Sequence, residues 1–228
     1  IEACGGEPIQ IPLINIVCRH ESIDPHHIKK YEWIFITSAN GVHCFFQRLK
    51  EQEQLHLLKD CRLAVVGHKT EEALKAYGFT ADFIPSVYNA DTMAEEFRQA
   101  FPNAKRLLLV RGNQSRPTLP REFTKHGYEF AMLEVYETMT NTEAKEALNQ
   151  VLGQGKLDFI TFTSPSTVQA FFELVNPKFL DEQMVYVCIG TTTQAAAEAA
   201  GCKTILIPDV FTIEGMIETM KDYISKKG

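Results

Sequence analysis

The chain carries an internal repeat, and this feature limits the possible folds more than any other property of its 228 residues. The segment YEWIFITSANGVHCFF, residues 31–46, matches LDFITFTSPSTVQAFF, residues 157–172, without a gap. A second segment, residues 63–97, matches residues 186–220. Two segments that recur in the same order indicate that the two halves of the chain share one plan.

Each repeated segment has the pattern of a strand, a tight turn and a helix. The runs WIFITS and FITFTS are apolar and β-branched, which is typical of buried parallel strands. The helices of the second segment run to Gly78 and Gly201, which are expected stop signals. Strands that alternate with helices predict an α/β fold, here two similar three-layer, flavodoxin-like domains with parallel sheets.

The order of the segments predicts how the chain is divided. Residues 104–138 have the pattern strand, loop, helix and strand, and their last part aligns with the chain start. The predicted parts are a discontinuous domain of residues 1–13 and 139–228, an inserted domain of residues 17–134, and a two-stranded β bridge formed by residues 14–16 and 135–138. One strand and most of one helix are expected upstream of Ile1. A cleft between two such domains is a preferred place for a ligand.

Composition and charge argue against several classes of protein. No apolar run approaches the ~20 residues of a membrane helix, and the first residues lack the pattern of a signal peptide, so a cytoplasmic protein is expected. The net charge of −6 argues against a nucleic-acid partner. The six cysteines have no metal-binding spacing and are expected to be reduced, with no metal bound. The glycine loops lack nucleotide-binding spacings, so neither NAD nor ATP is expected.

Candidate binding residues follow the predicted strands, because ligands of parallel sheets gather at the carboxyl ends of the strands. These loops are small, hydroxylated or basic, and their free N–H groups and helix dipoles suit carboxylates or phosphates. The candidates are Thr37, Ser38, Asn40, Gly67, Thr70, Arg111, Gly112, Thr163, Ser164, Pro165, Ser166, Gly190, Thr192 and Thr193. For any single loop, ordinary helix capping is a better explanation of these residues than ligand binding. The recurrence of such loops in both repeated units nevertheless favours a binding site.

Tyr136 is a candidate of a different kind, because it lies at the second predicted crossing between the domains. Its hydroxyl can point into the cleft there. A half-buried strand tyrosine without a catalytic role explains the residue equally well.

The duplicated TS-x-x-x-V segments, the VG and IG loops, VRG and VYET, in this order and with these crossings, resemble the uroporphyrinogen-III synthase family over essentially the whole chain. The resemblance implies a monomeric lyase without a cofactor. Its substrate is hydroxymethylbilane, a linear tetrapyrrole that is closed with inversion of ring D and loss of water. It also implies that Tyr136 assists departure of the hydroxyl group, that the loop hydroxyls hold acetate and propionate groups, and that Arg111 adds charge. A transient contact with the upstream hydroxymethylbilane synthase is a further implied partner.

Two other functions stay open at this point. The same cleft would suit a non-catalytic binding protein for a small polyanion, or a regulatory module that kept the fold and lost the activity. Tyr136 in its VYET context favours the enzyme, because a binding protein has no need of it.

Overall fold

The computed structural model describes residues 1–21 and 23–227, so Ser22 and Gly228, which fall within the predicted domains, lie outside the described residues. The chain divides into two compact units. Unit 1 consists of Ile1–Asn15 and Met139–Gly228, and unit 2 of Ile16–Thr138. None of the helices within the described ranges is long and apolar enough to span a membrane.

Strands and helices alternate along most of the chain. The strands are β1 (Ile14–Cys18), β2 (Trp33–Ile36), β3 (Arg62–Val65), β4 (Leu107–Gly112), β5 (Phe130–Thr140), β6 (Ile160–Phe162), β7 (Val185–Cys188) and β8 (Thr204–Leu206). The helices are α1 (Pro25–Ile28), α2 (Ala39–Glu51), α3 (His68–Lys75), α4 (Ala90–Ala100), α5 (Thr118–Lys125), α6 (Ala144–Gly153), α7 (Pro165–Leu174), α8 (Thr191–Ala199) and α9 (Ile213–Lys227).

Unit 2 contains most of a five-stranded sheet with the order β1-β5-β4-β2-β3. Strand β2 pairs in parallel with β3 and β4, and β4 pairs in parallel with β5. Alternate side chains of a strand face opposite sides. Accordingly Ile34 and Ile36 join one apolar cluster with α2 and α3, whereas Trp33 and Phe35 join another with α4 and α5. The sheet is therefore covered by helices on both faces.

Helix α2 illustrates how the sequence forms these elements. Val42, Phe45, Phe46 and Leu49 are fully buried and lie at helical spacing, so one stripe of the helix packs on the sheet. Burial of each such side chain contributes roughly 1.5–3 kcal/mol. The helix begins after Ser38, a favoured N-cap residue.

Unit 1 contains a parallel three-stranded sheet with the order β6-β7-β8. Tyr186 and Cys188 of the central strand β7 face a cluster formed with α6, α7 and α8. The alternate residues Val185 and Val187 are also buried, and α9 contacts β7 with Met216 buried. The predicted α/β fold with parallel sheets is therefore confirmed.

The chain start differs from its sequence-based expectation. Its alignment with β5 predicts a strand, but residues 6–13 form no strand and β1 begins only at Ile14. Pro8 and Pro12 have no backbone N–H, so they cannot complete a hydrogen-bonded ladder here. The segment is held instead by Asn141, whose side chain donates to the Pro12 carbonyl at 2.8 Å and whose N–H donates to the Leu13 carbonyl at 2.8 Å.

The cysteines also differ from expectation, because two of them form a disulfide. Cys18 ends β1 and Cys44 lies in α2, and their Cα atoms are 5.2 Å apart in the bonded pair. The spacing of the cysteines in the sequence does not predict this pair, because it is the packing of α2 on the sheet that brings the two residues together. Cys4, Cys61, Cys188 and Cys202 are free thiols.

Candidate active site

The carboxyl ends of β2, β3 and β4 lie at one edge of the unit 2 sheet, because these strands are parallel. Their loops contain the predicted residues Thr37, Ser38, Asn40, Gly67, Thr70, Arg111 and Gly112. The same edge of the unit 1 sheet carries Thr163, Ser164, Pro165, Ser166, Gly190, Thr192 and Thr193. We call these the carboxyl edges of the two units.

Ser38, Gly112 and Tyr136 form a row across three neighbouring strands of unit 2. In the pairing of β2 with β4, Ile36 lies opposite Val110. Ser38 and Gly112 each lie two positions further along the chain, so they are at the same level of the sheet. Gly112 in turn pairs with Tyr136 of β5. Because β4 lies between β5 and β2, the glycine is the middle member of the row.

A β-bulge contributes to the position of Tyr136. Arg111 pairs with Glu134 but the next residue, Gly112, pairs with Tyr136, so Val135 is an extra residue in β5. Bulges bend a strand and redirect the side chains that follow, and they are frequent beside active sites. Without the bulge, Val135 would stand opposite Gly112. The shift places the tyrosine there instead, with only 8% of its surface exposed.

The tyrosine ring occupies the space left by the missing side chain of Gly112. A Cβ atom on Gly112 would lie 2.3 Å from Cζ and 2.4 Å from Cε2 of Tyr136. Such distances are far below van der Waals contact, so only glycine fits beneath the ring. The ring can therefore cross β4 and reach the end of β2.

The hydroxyl of Tyr136 meets the hydroxyl of Ser38 at 3.1 Å, and either group can donate this hydrogen bond. Ser38 Oγ also accepts the N–H of Gly41 at 3.0 Å and so caps α2. The capping interpretation of Ser38 is thus correct, but it leaves out the second contact. The arrangement fixes a phenol hydroxyl at the start of a helix.

Arg111 lies beside this row, and its guanidinium group donates to backbone carbonyls. Its Nη2 donates to the Ser115 carbonyl at 2.5 Å, and its Nε donates to the Gly112 carbonyl at 3.3 Å. It makes no ion pair with any side chain in residues 1–21 or 23–227. Arg19, in contrast, is held by Glu134 and Glu137 at 3.0 and 2.9 Å. Of these two arginines, Arg111 is the one available to a ligand carboxylate.

The carboxyl edge of unit 1 holds a cluster of hydroxyl groups at the start of α7. Ser164 Oγ accepts the Thr167 N–H at 3.2 Å, and the Ser164 N–H reaches Thr167 Oγ1 at 3.3 Å. Ser166 Oγ lies 2.9 Å from Ser164 Oγ, and Pro165 occupies the first turn. This reciprocal capping box stabilises the helix start, as the alternative interpretation of the loop predicts.

Two buried threonines occupy equivalent places in the two units. Thr70 and Thr193 are only 6% and 3% exposed. Each lies in the first turn of its helix, after the N-cap glycines Gly67 and Gly190. Asn40, Thr163 and Thr192 are exposed and Thr37 is half-buried.

Sequence reasoning missed two aromatic rings at these edges. Tyr88 lies against Gly67 in unit 2, and Phe211 lies against Gly190 in unit 1. The sequence does contain a signal for these rings, because Tyr88 and Phe211 are aromatic residues at corresponding positions of the second repeated segment.

Burial disfavours the thiolate form of two unit 1 cysteines, Cys188 and Cys202. It raises the pKa of both Cys188 and Cys202 from 9.0 to about 11, so they stay protonated at neutral pH. Within the described part of the chain, no group of three or more His, Cys, Asp or Glu side chains could hold a metal ion. The predicted residues of the carboxyl edges carry hydroxyl, backbone N–H and guanidinium donors.

A cavity of about 650 Å³ in unit 1 lies apart from the predicted site residues. Its lining is mostly apolar and includes Ile11, Leu148, Phe162 and Ile217. None of the predicted binding residues lines it, so the cavity does not change the assignment of the candidate site.

The chain is thus an α/β protein whose two units both carry hydroxylated loops at helix starts, with Arg111 and the Tyr136 hydroxyl at the carboxyl edge of unit 2. The family model described as uroporphyrinogen-III synthase HemD matches residues 1–218. The chain belongs to the uroporphyrinogen-III synthase family.

Individual relatives agree with the family. A uroporphyrinogen-III synthase from Chlorobaculum parvum is 33% identical over 187 residues, which cover 81% of this chain and 76% of that protein. A putative uroporphyrinogen-III synthase from Methanocaldococcus jannaschii is 32% identical over 225 residues, covering 95% and 89%. The crystal structure of uroporphyrinogen-III synthetase from Helicobacter pylori has the same fold, with a TM-score of 0.72, 20% identity, and coverage of 92% and 91%.

Proposed function

We propose that this chain closes hydroxymethylbilane to uroporphyrinogen III, with inversion of ring D and loss of water. Family membership over residues 1–218 supports the reaction. The donors at the carboxyl edges support the substrate, which combines pyrrole rings with eight carboxylates. Neither a metal nor an organic cofactor enters the proposal.

The observation that carries a catalytic role is the Tyr136 hydroxyl held 3.1 Å from Ser38. Ring closure begins when the carbon–oxygen bond of the hydroxymethyl group on ring A breaks. Oxygen leaves as water, so it needs a proton or a strong hydrogen bond as the bond lengthens. A phenol hydroxyl is a weak acid that can donate directly or through a bridging water. We assign this donor role to Tyr136.

The loop residues bind the acetate and propionate groups in this proposal. Backbone N–H groups at helix starts carry partial positive charge, and threonine and serine hydroxyls add directional donors. Arg111 supplies a full positive charge that no ion pair among the described residues compensates. The substrate-binding set is Thr37, Ser38, Asn40, Gly67, Thr70, Arg111, Gly112, Thr163, Ser164, Pro165, Ser166, Gly190, Thr192 and Thr193.

We further propose that the two units arose by internal duplication and bind one substrate molecule together, linked by residues 14–16 and 135–138. Catalysis then comes chiefly from positioning, because the two ends of a flexible linear molecule must meet before the ring can close. The chain acts as a monomer in the cytoplasm in this proposal. The proposal includes a transient contact with the enzyme that supplies hydroxymethylbilane, and it includes neither nucleic acid nor a membrane as a partner.

A non-catalytic binding protein for a polyanion is not favoured, nor is an inactive regulatory module. Neither requires a buried tyrosine whose ring depends on a bulge in its own strand and a glycine in the next. A binding protein or a regulatory module would nevertheless have similar anion-binding loops.

Incubation of the purified chain with hydroxymethylbilane, followed by separation of the type III and type I isomers, tests the proposed function. Type I forms without a catalyst, so a protein-free sample run in parallel gives the background. We expect predominantly type III at a rate well above that background. Type I alone, formed at the protein-free rate, would contradict the proposal.

A further inference from the structure

Each unit exposes an aliphatic–aromatic pair at its carboxyl edge. Val87 and Tyr88 in unit 2 are 57% and 61% exposed, and Val210 and Phe211 in unit 1 are 64% and 56% exposed. A single exposed apolar residue is ordinary on a protein surface. Here the exposed residues form a pair, and the pair recurs at corresponding positions of the second repeated segment, once in each unit.

Both pairs have the same backbone arrangement. The N–H of Asn89 donates to the Val87 carbonyl at 2.7 Å, and the N–H of Thr212 donates to the Val210 carbonyl at 2.7 Å. The residue that donates this bond also caps the next helix in both units. Asn89 Oδ1 accepts a first-turn N–H of α4 at 2.8 Å, and Thr212 Oγ1 accepts one of α9 at 3.0 Å. The backbone beside each ring is thus held in a tight turn at a helix start.

Each ring lies directly on a glycine of the anion-binding loop. A Cβ atom on Gly67 would lie 3.1 Å from Tyr88 Cγ, and one on Gly190 would lie 3.2 Å from Phe211 Cγ. The glycines have φ −169° and −176°, which is extended backbone that any residue adopts. Backbone conformation therefore does not require glycine here, whereas the close approach of the ring favours it.

One side of each ring is thus covered by the loop, while more than half of the residue stays open to solvent. The loop that covers the ring is the one whose helix-start N–H groups suit a carboxylate. A ligand in which one or two methylene groups separate an aromatic ring from a carboxylate matches this pairing of surfaces. The proposed substrate has that composition at each of its four pyrroles.

We propose that Tyr88 and Phe211 are pyrrole-binding residues, each of which packs against one pyrrole of the linear tetrapyrrole while the adjacent loop holds that pyrrole's carboxylates. The inference rests on the proposed function. Two aromatic platforms, one per unit, fix the orientation of pyrroles that carboxylate contacts alone leave free to rotate. Aromatic pairs prefer offset or edge-to-face contact, and each is expected to tighten binding about three- to tenfold.

Five variants test the inference in the isomer assay. Tyr88→Ser and Phe211→Ser remove the rings, whereas Tyr88→Phe and Phe211→Tyr retain them and serve as matched controls. Ile224→Ser removes an apolar side chain of similar exposure, 58%, from α9. We expect each ring-removing variant to raise KM for hydroxymethylbilane about three- to tenfold, with a larger share of type I product. The three controls should stay within about twofold of the parent chain.

Parent-like KM and isomer ratio in both ring-removing variants would overturn the pyrrole contact and leave the proposed function intact. An equal rise of KM in the ring-retaining controls would also overturn it, because the effect would then not come from the ring. A parent chain that produces only type I isomer would overturn the proposed function, and this inference with it.

Discussion

The hydroxyl groups of Tyr136 and Ser38 lie 3.1 Å apart although 98 positions separate the two residues in the chain. The contact joins the strand that ends unit 2 to the helix start after β2, across the intervening strand β4. Gly112 makes it possible, because any side chain there would occupy the space of the ring. The pair links the proposed acid to the proposed carboxylate-binding loop.

Tyr136→Phe should reduce turnover by about a hundredfold, the typical contribution of a positioned proton donor. Stability should fall by no more than about 1 kcal/mol, because only one hydrogen bond to Ser38 is lost and the ring stays in place. Turnover is measured by the isomer assay and stability by urea unfolding. Tyr31→Phe is the control, since it removes another tyrosine hydroxyl contact of unit 2, 3.2 Å from His27. Equal turnover of Tyr136→Phe and the parent would remove the catalytic role.

Gly112→Ala should displace the tyrosine ring, because the new Cβ would lie 2.3 Å from Tyr136 Cζ. We expect a loss of about 1–3 kcal/mol in the free energy of unfolding, as for other overpacked sites, together with most of the activity. In the Tyr136→Ala background the same substitution should be much less destabilising, because the ring is gone. Additive losses of stability in the double variant would contradict the proposed steric conflict.

Sequence reasoning located the loops of this site but not the contacts within them. The carboxyl ends of parallel strands lie at one edge of the sheet whatever the strand order. The position of Ser38 and Arg111 at that edge was therefore predictable from the sequence pattern alone. The partner of Tyr136 depends on the order β5-β4-β2 and on a one-residue bulge at Val135, and neither leaves a periodic signal. Tyr88 was visible in the repeat, but no residue-level rule connects an exposed ring to a ligand.

The disulfide was unpredictable for a related reason. Cys18 and Cys44 become neighbours only when α2 packs beside β1, and cysteine spacing gives no information about that packing. Reduction of this disulfide should lower the free energy of unfolding by about 3.5 kcal/mol, the loop-closure effect expected for a separation of 26 residues. Urea unfolding with and without a dithiol reductant measures the difference. The Cys18→Ala/Cys44→Ala variant should be insensitive to the reductant. An equal effect of the reductant on both proteins would exclude this disulfide as its cause.

Stability should decline as pH rises from about 9 towards 11, because of buried groups in unit 1. Burial raises the pKa of the Cys188 and Cys202 thiols from 9.0 to about 11, and it raises the pKa of Tyr186 from 10.0 to about 12. Above pH 9 the unfolded chain therefore loses protons that the folded chain keeps, so the free energy of unfolding falls with pH. Below pH 9 both states hold these protons and the groups contribute no slope.

The variant Cys188→Ala isolates one of these groups, since it removes a fully buried thiol from the end of β7. We expect a small loss of stability at pH 8 from the cavity, and a shallower decline between pH 9 and pH 11 than in the parent. Urea unfolding at several pH values in this window measures the slope. Cys4→Ala removes an exposed thiol and controls for loss of a cysteine in general. If the slope of Cys188→Ala equalled that of the parent, the buried thiol would not be a source of the alkaline instability, and the decline would have to come from other groups.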